Sequence, residues 1–156
     1  MRKTYRIIAD AIAVLVVLQA AFMVWAIAGL FTWIDEGATL DKSVIEGWAD
    51  EPPTWDGALG HFLHLMSGTF LIPLLGIVLL LVSFFAKVPR GVALAGLVVV
   101  LIVIQYLAGF FAEPGMPYLG LIHGANAFIL FGAALAAAKM AKADAVAPQE
   151  TAPAAM

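Results

Sequence analysis

Three histidines, His61, His64 and His123, stand out in this chain as candidate ligands or proton carriers set in or beside apolar sequence. His64 and His123 each lie roughly 9 to 10 Å into a long apolar run, at about 1.5 Å of rise per helical residue. Ionisable side chains inside a bilayer are costly and by default mark function, so two at one depth point to a shared ligand. Two neutral imidazoles are what the iron of a low-spin b-type haem takes, and helix-bundle interiors are a normal place to build such a site. Gln105 reaches nearly the same layer. Gly68 and Ala127 stand one turn deeper than the histidines on the same helix faces, which predicts a flat space for a planar ligand. The expected cofactor site is therefore haem b held by His64 and His123, with Gln105, Gly68 and Ala127 around it and electron transfer as its use.

Two other readings stand beside it. His61 precedes His64 by three residues, so the pair together with an outer-loop carboxylate could hold zinc or copper, or a small molecule, at the outer face. At the interface a lone histidine also serves simply by keeping its polar end in water. In the remaining reading His64 and His123 only hydrogen-bond across helices, to Gln105, Ser67 or Asn126. The chain is then a cofactor-free accessory or structural subunit, partnered by a membrane complex or by a second copy of itself. Haem propionates favour cationic partners, and the outer side offers only Lys42. No Gly-rich phosphate loop, nucleophile triad or basic nucleic-acid patch occurs, so neither catalysis nor a nucleic-acid partner is expected.

The elements that must position these residues follow from composition. With 63% hydrophobic and 12% charged residues and a mean hydropathy of +1.00, the chain is built for lipid. It contains no cysteine, which removes disulfides, thiolate metal sites and a cysteine nucleophile. Four apolar runs, Ile7 to Ile34, Ala58 to Ala86, Gly91 to Ala112 and Tyr118 to Ala138, are each long enough to cross a hydrocarbon core of about 30 Å,. They are apolar all round over stretches such as Gly76 to Phe85, which predicts helices and not the alternating strands of a barrel. The expected fold is an all-α integral membrane protein, an up-down-up-down four-helix bundle over residues 1–142, multi-pass in a bacterial plasma membrane.

Flanking charge orients the bundle. Arg2, Lys3, Arg6, Lys87, Arg90, Lys139 and Lys142 fall on one side and Lys42 alone on the other, so the positive-inside bias places both termini in the cytoplasm,. The first run is read as an uncleaved helix, because its apolar stretch exceeds a signal-peptide core and carries Trp25 and Trp33. Asp10 is expected to pair with Arg6 one turn earlier. The segment 35–57 carries seven acids against Lys42 and is an acidic external loop. Within it Leu40, Val44, Ile45 and Trp48 recur at helical spacing after Thr39 or Asp41, which predicts a short capped surface helix ended by Pro52 and Pro53. Pro73 predicts a kink in the second run. Gly68, Gly76, Gly96, Gly109, Gly124 and Gly132 are expected to let backbones approach. Residues 143–156, rich in Ala, Pro and Gln, are expected to be a disordered cytoplasmic tail.

A weak internal repeat lays Gln19-Ala-Ala-Phe-Met over Gln105-Tyr-Leu-Ala-Gly, and His64-Leu-Met-Ser-Gly over His123-Gly-Ala-Asn-Ala. Each half reads as a Gln helix followed by a His helix, and the extra length of the first half matches the acidic loop. The Gln105-x-x-x-Gly109 helix, the short turn and the His123-x-x-x-Ala127 helix resemble one four-helix half of the haem A synthase family. The resemblance implies haem binding in a helix bundle. That family joins two such halves into an eight-helix enzyme that oxidises a haem methyl group, whereas this chain has one half and lacks a matching catalytic glutamate. The run Leu81 to Pro89 is similar to small four-span bacterial membrane proteins, which implies no activity.

Overall fold

The computed structural model describes residues 1–48, 50–112 and 115–143. They form α1 (Arg2–Asp35), α2 (Lys42–Gly47), α3 (Ala58–Met66), a π-turn (Ser67–Leu71), α4 (Ile72–Ala86), α5 (Gly91–Ala112) and α6 (Tyr118–Ala143), with no strand among the described residues. Four helical stretches, α1, α3 through α4, α5 and α6, are long and apolar enough to cross a membrane. The tail expected to be disordered lies, from residue 144 onward, outside the described residues.

Helix α1 starts five residues before the apolar run because its first turn is anchored. Tyr5 is fully buried and its hydroxyl donates to the Gly91 carbonyl at 3.0 Å. Arg2 Nη2 donates to the Lys87 carbonyl at 2.7 Å. Both bonds tie the start of α1 to the turn between α4 and α5, where Lys87 and Arg90 adopt positive φ values of 51° and 55°. The expected Arg6 and Asp10 pair forms at 3.5 Å, with both side chains about half exposed, and such pairs contribute at most about 1 kcal/mol. Helix α6 runs to Ala143 rather than stopping at Ala138, since Ala141 is still buried against the bundle.

Where a kink was expected at Pro73, the helix carries a π-turn. Pro73 has no N–H and its ring collides with the carbonyl four residues earlier. A π-turn directly before it absorbs the conflict, closed by the Ile72 N–H on the Ser67 carbonyl,.

The helices pack as a ring. Helix α1 lies against α3, α4 and α6, and α5 lies against α4 and α6, so α3–α4 and α6 face each other across a diagonal. A continuous apolar core, with Tyr5, Ile12, Leu79, Val98 and Leu130 fully buried, fills one end of this ring. It stops at Ile72, Leu101, Ile102 and Leu130, and α3 contributes nothing to it. At the other end α3 is docked on α1 by close backbone approach. A Cβ at Gly60 would come within 2.6 Å of the Phe22 carbonyl, and one at Gly57, whose φ is 97°, within 2.6 Å of the Trp25 carbonyl. Trp55, buried, donates its indole N–H to Ala26 at 3.1 Å. Of the glycines expected at interfaces, Gly96, Gly124 and Gly132 instead look into open space, while Gly68, Gly76 and Gly109 do meet neighbours. Spacing on an apolar helix does not say which face is turned inward.

The surface helix expected in the acidic loop is α2, capped by Asp41 and not Thr39. One Asp41 carboxylate oxygen accepts from the Ser43 N–H at 2.8 Å, the Ser43 hydroxyl at 2.7 Å and the Val44 N–H at 3.1 Å. The helix ends at Gly47, ahead of the two prolines. The Ser43 hydroxyl and the Val44 amide hold the Asp41 carboxyl below its ordinary value. A lowered folded-state value means that the cap is fully present above the ordinary carboxylate range and is lost as pH falls through the lowered one. Amide exchange at Ser43 and Val44 is therefore expected to accelerate, relative to neighbouring loop amides, only in that acidic window. Equal protection below it would refute the cap.

Candidate functional site

Above the apolar core the interior becomes polar, and two similar triads line it. In the first, the His64 ring nitrogen Nδ1 lies 3.0 Å from the Gln19 carbonyl. In the second, His123 Nδ1 lies 2.9 Å from the Gln105 carbonyl. A carbonyl oxygen only accepts, so each Nδ1 carries the hydrogen and donates it. In the neutral ring the lone pair is then on Nε2 in both histidines.

The glutamine side chains complete each triad one helical turn beyond the histidine. Gln19 Nε2 donates to the Ser67 hydroxyl at 2.5 Å and to the His64 carbonyl at 3.2 Å, and Ser67 in turn donates to the Leu63 carbonyl. Asn126 Nδ2 donates to Gln105 Oε1 at 2.7 Å and to the Leu101 carbonyl at 2.9 Å. Gln19, His64 and Ser67 thus stand to one another as Gln105, His123 and Asn126 do, the pairing that the weak repeat in the sequence proposed. Among the described residues no buried side-chain nitrogen or oxygen lacks a partner.

Across the diagonal the two imidazoles meet. Their ring centroids are 6.2 Å apart, with planes inclined at 51°, and both residues are half-buried. No protein-family model, curated protein or solved structure matches this chain. What the site can do therefore rests on its own geometry.

Tautomer and spacing both suit a pair of metal-ligating imidazoles. A hydrogen bond from Nδ1 to a backbone carbonyl is the usual way in which a protein orients such a ring and fixes Nε2 as the ligand. A ring nitrogen lies about 1.1 Å from its centroid and a metal to imidazole bond is about 2 Å, so two imidazoles on opposite sides of one metal have centroids about 6.2 Å apart. The observed centroid separation of 6.2 Å is of the same size as that span.

The other expected site residues fall as follows. Gln105 belongs to the triad through its carbonyl as well as its side chain. Gly68 faces Gln19, whose Oε1 lies 3.3 Å from where a Cβ would be, so its missing side chain makes room for that amide. Ala127, half-buried, neighbours Asn126 on α6. Gly109 is a further member of the layer, since a Cβ there would lie 2.8 Å from His123 Nδ1 and 3.0 Å from its Cε1. Gln19 and Gly109 were both legible in the repeat and in the Gln-x-x-x-Gly pattern, but spacing alone gave them no role. Of the partners expected for the two histidines, Gln105, Ser67 and Asn126, Gln105 does bond His123, through its backbone carbonyl, whereas one partner of His64 is the Gln19 carbonyl on α1. His61 turns its ring to Trp48 and Trp55, with centroids 6.4 Å from each. Among the described residues no group of three His, Asp or Glu side chains comes together to hold a metal ion.

Proposed function

We propose that the chain is a membrane haem b protein that passes electrons, with His64 and His123 as the two ligands to one iron. The observation that carries this reading is the pair of imidazoles with ring centroids 6.2 Å apart, each with its Nδ1 held by a backbone carbonyl. Gln19 and Gln105 orient the rings, and Ser67 and Asn126 fix the glutamines. Bound there, haem would supply a one-electron couple whose potential the backbone-bonded imidazoles and the surrounding burial tune. The chain's own residues orient the ligands and exclude water.

The same reading sets the protein in a bacterial plasma membrane as an up-down-up-down bundle, both termini cytoplasmic and the histidine layer in the outer leaflet. Its support is the gathering of Arg2, Lys3, Arg6, Lys87, Arg90, Lys139 and Lys142 beyond one end of the apolar spans, against Lys42 beyond the other,. A second reading, a cofactor-free subunit in which the triads only lock helices together, is favoured by one observation. Lys42, the single outer cation available to a propionate, is exposed and paired with Glu46 at 3.5 Å. The deciding measurement is an absorbance spectrum, oxidised and dithionite-reduced, of protein purified in mild detergent from cells supplied with a haem precursor. Sharp reduced α and β bands with one haem per chain are expected. A spectrum without a Soret band would leave the helix-locking reading.

A further inference from the structure

A second site lies one helical turn from the histidine layer. The acidic loop and α3 flank a half-open hollow of about 530 Å³ lined by Trp48, Pro52, Leu59, His61, Phe62 and Leu65, among others. Its volume is that of ordinary small-molecule sites, which run from about 300 to 1,000 Å³. Leu59, Phe62 and Leu65 are exposed on the outer surface of α3, so the hollow opens towards the apolar side of the helix that bears it. His61 is half-buried there, and among the described residues its ring packs on Trp48 and Trp55 with no side-chain hydrogen bond. The lining is otherwise apolar and carries no carboxylate and no cation. The carboxyl-bearing residues Asp50 and Glu51 line the neighbouring hollow instead, beside Trp33 and Thr54.

These features select a ligand class. A phosphate headgroup would find no cation among the lining residues,. An organic cation would find its counter-charges in the adjacent hollow. An uncharged, flat ring with a carbonyl or hydroxyl group matches both the aromatic flank of Trp48 and Phe62 and the one imidazole able to donate or accept a hydrogen bond. An apolar tail on that ring would follow Leu59 and Leu65 along α3 into the bilayer. We propose that this hollow binds the headgroup of a membrane-soluble quinone, hydrogen-bonded to His61. This goes beyond the haem reading. It also puts the ring three residues, one turn, along α3 from His64.

The test uses the full chain in phosphatidylcholine vesicles and a photoreactive azidoquinone, with crosslinked peptides mapped by mass spectrometry. Crosslinks are expected within residues 48–65 and are expected to disappear under excess short-chain benzoquinone. His61→Leu should cut the labelling about tenfold, the scale of one buried hydrogen bond, and His61→Gln should retain most of it. Crosslinks scattered over all four membrane helices, or labelling at 48–65 that neither competitor nor His61→Leu reduces, would overturn the proposal. Competition on the unmutated chain keeps the test decisive even where a variant fails to fold. Haem is read separately on the same vesicles. Localised labelling without haem retains the quinone site and removes the haem reading, and haem without localised labelling does the reverse.

Discussion

If His64 and His123 hold haem as proposed, His64→Ala and His123→Ala are each expected to abolish the low-spin haem spectrum, lowering bound haem per chain at least tenfold, while the protein still inserts and purifies. A six-coordinate b-type haem needs both axial imidazoles, and the one remaining histidine, His61, has its ring packed on Trp48 and Trp55,. Either substitution also leaves a backbone carbonyl, that of Gln19 or Gln105, without its side-chain donor. Because each is a helical carbonyl that can keep its bond within α1 or α5, the structural cost of that loss is small, about 1 kcal/mol. The discriminating quantity is therefore pigment and not stability. Equal haem content in wild type and both variants would show that any haem present is bound elsewhere.

Gly109→Ala is expected to have the second largest effect. The new Cβ would sit 2.8 Å from Nδ1 and 3.0 Å from Cε1 of a ring held by the Gln105 carbonyl on the same helix. Relief requires either breaking that bond or pushing α5 and α6 apart, and overpacking of this kind costs about 1 to 3 kcal/mol. Alanine otherwise favours a helix over glycine by about 1 kcal/mol, so a net loss would be caused by the ring. A double-mutant cycle isolates it. In the His123→Ala background the ring is gone, and Gly109→Ala should become neutral or stabilising in a reversible unfolding assay. The same destabilisation in both backgrounds would mean that Gly109 does not pack on His123. If the haem reading holds, Gly109→Ala should also shift or broaden the reduced α band, because it tilts an axial ligand.

Several levels of this fold were legible in the chain itself. Length and apolarity mark four membrane-length helices because a hydrocarbon core admits no unsatisfied backbone, and that constraint acts on each segment alone,. The Asp41 cap, the turn Lys87–Arg90 and the pairing of Arg6 with Asp10 are similarly local, decided by residues a few positions apart. Even the correspondence of Gln19 with Gln105 and of His64 with His123 could be written down before any contact was known.

The sequence could not say which atoms those residues use. Helices that are apolar all round leave their rotation undetermined, since lipid rewards no face over another. Only the packed ring turns Gly109 onto His123 and leaves Gly124 and Gly132 in open space. It also gives His64 the Gln19 carbonyl, which lies 45 residues away in the chain. The different ring partners of His61 and His64 are likewise tertiary. Three residues of helical spacing make them neighbours, but the loop docks through Trp55 on Ala26 and brings Trp48 and Trp55 to His61, while α6 brings His123 to His64. The sequence by itself determined the class of structure and the residue types at the histidine layer, because hydrophobicity and helix period act locally. Which rings face each other, and at what distance, was decided by long-range packing, where the shape of each neighbour and the bonding of buried polar groups select one rotation of each helix.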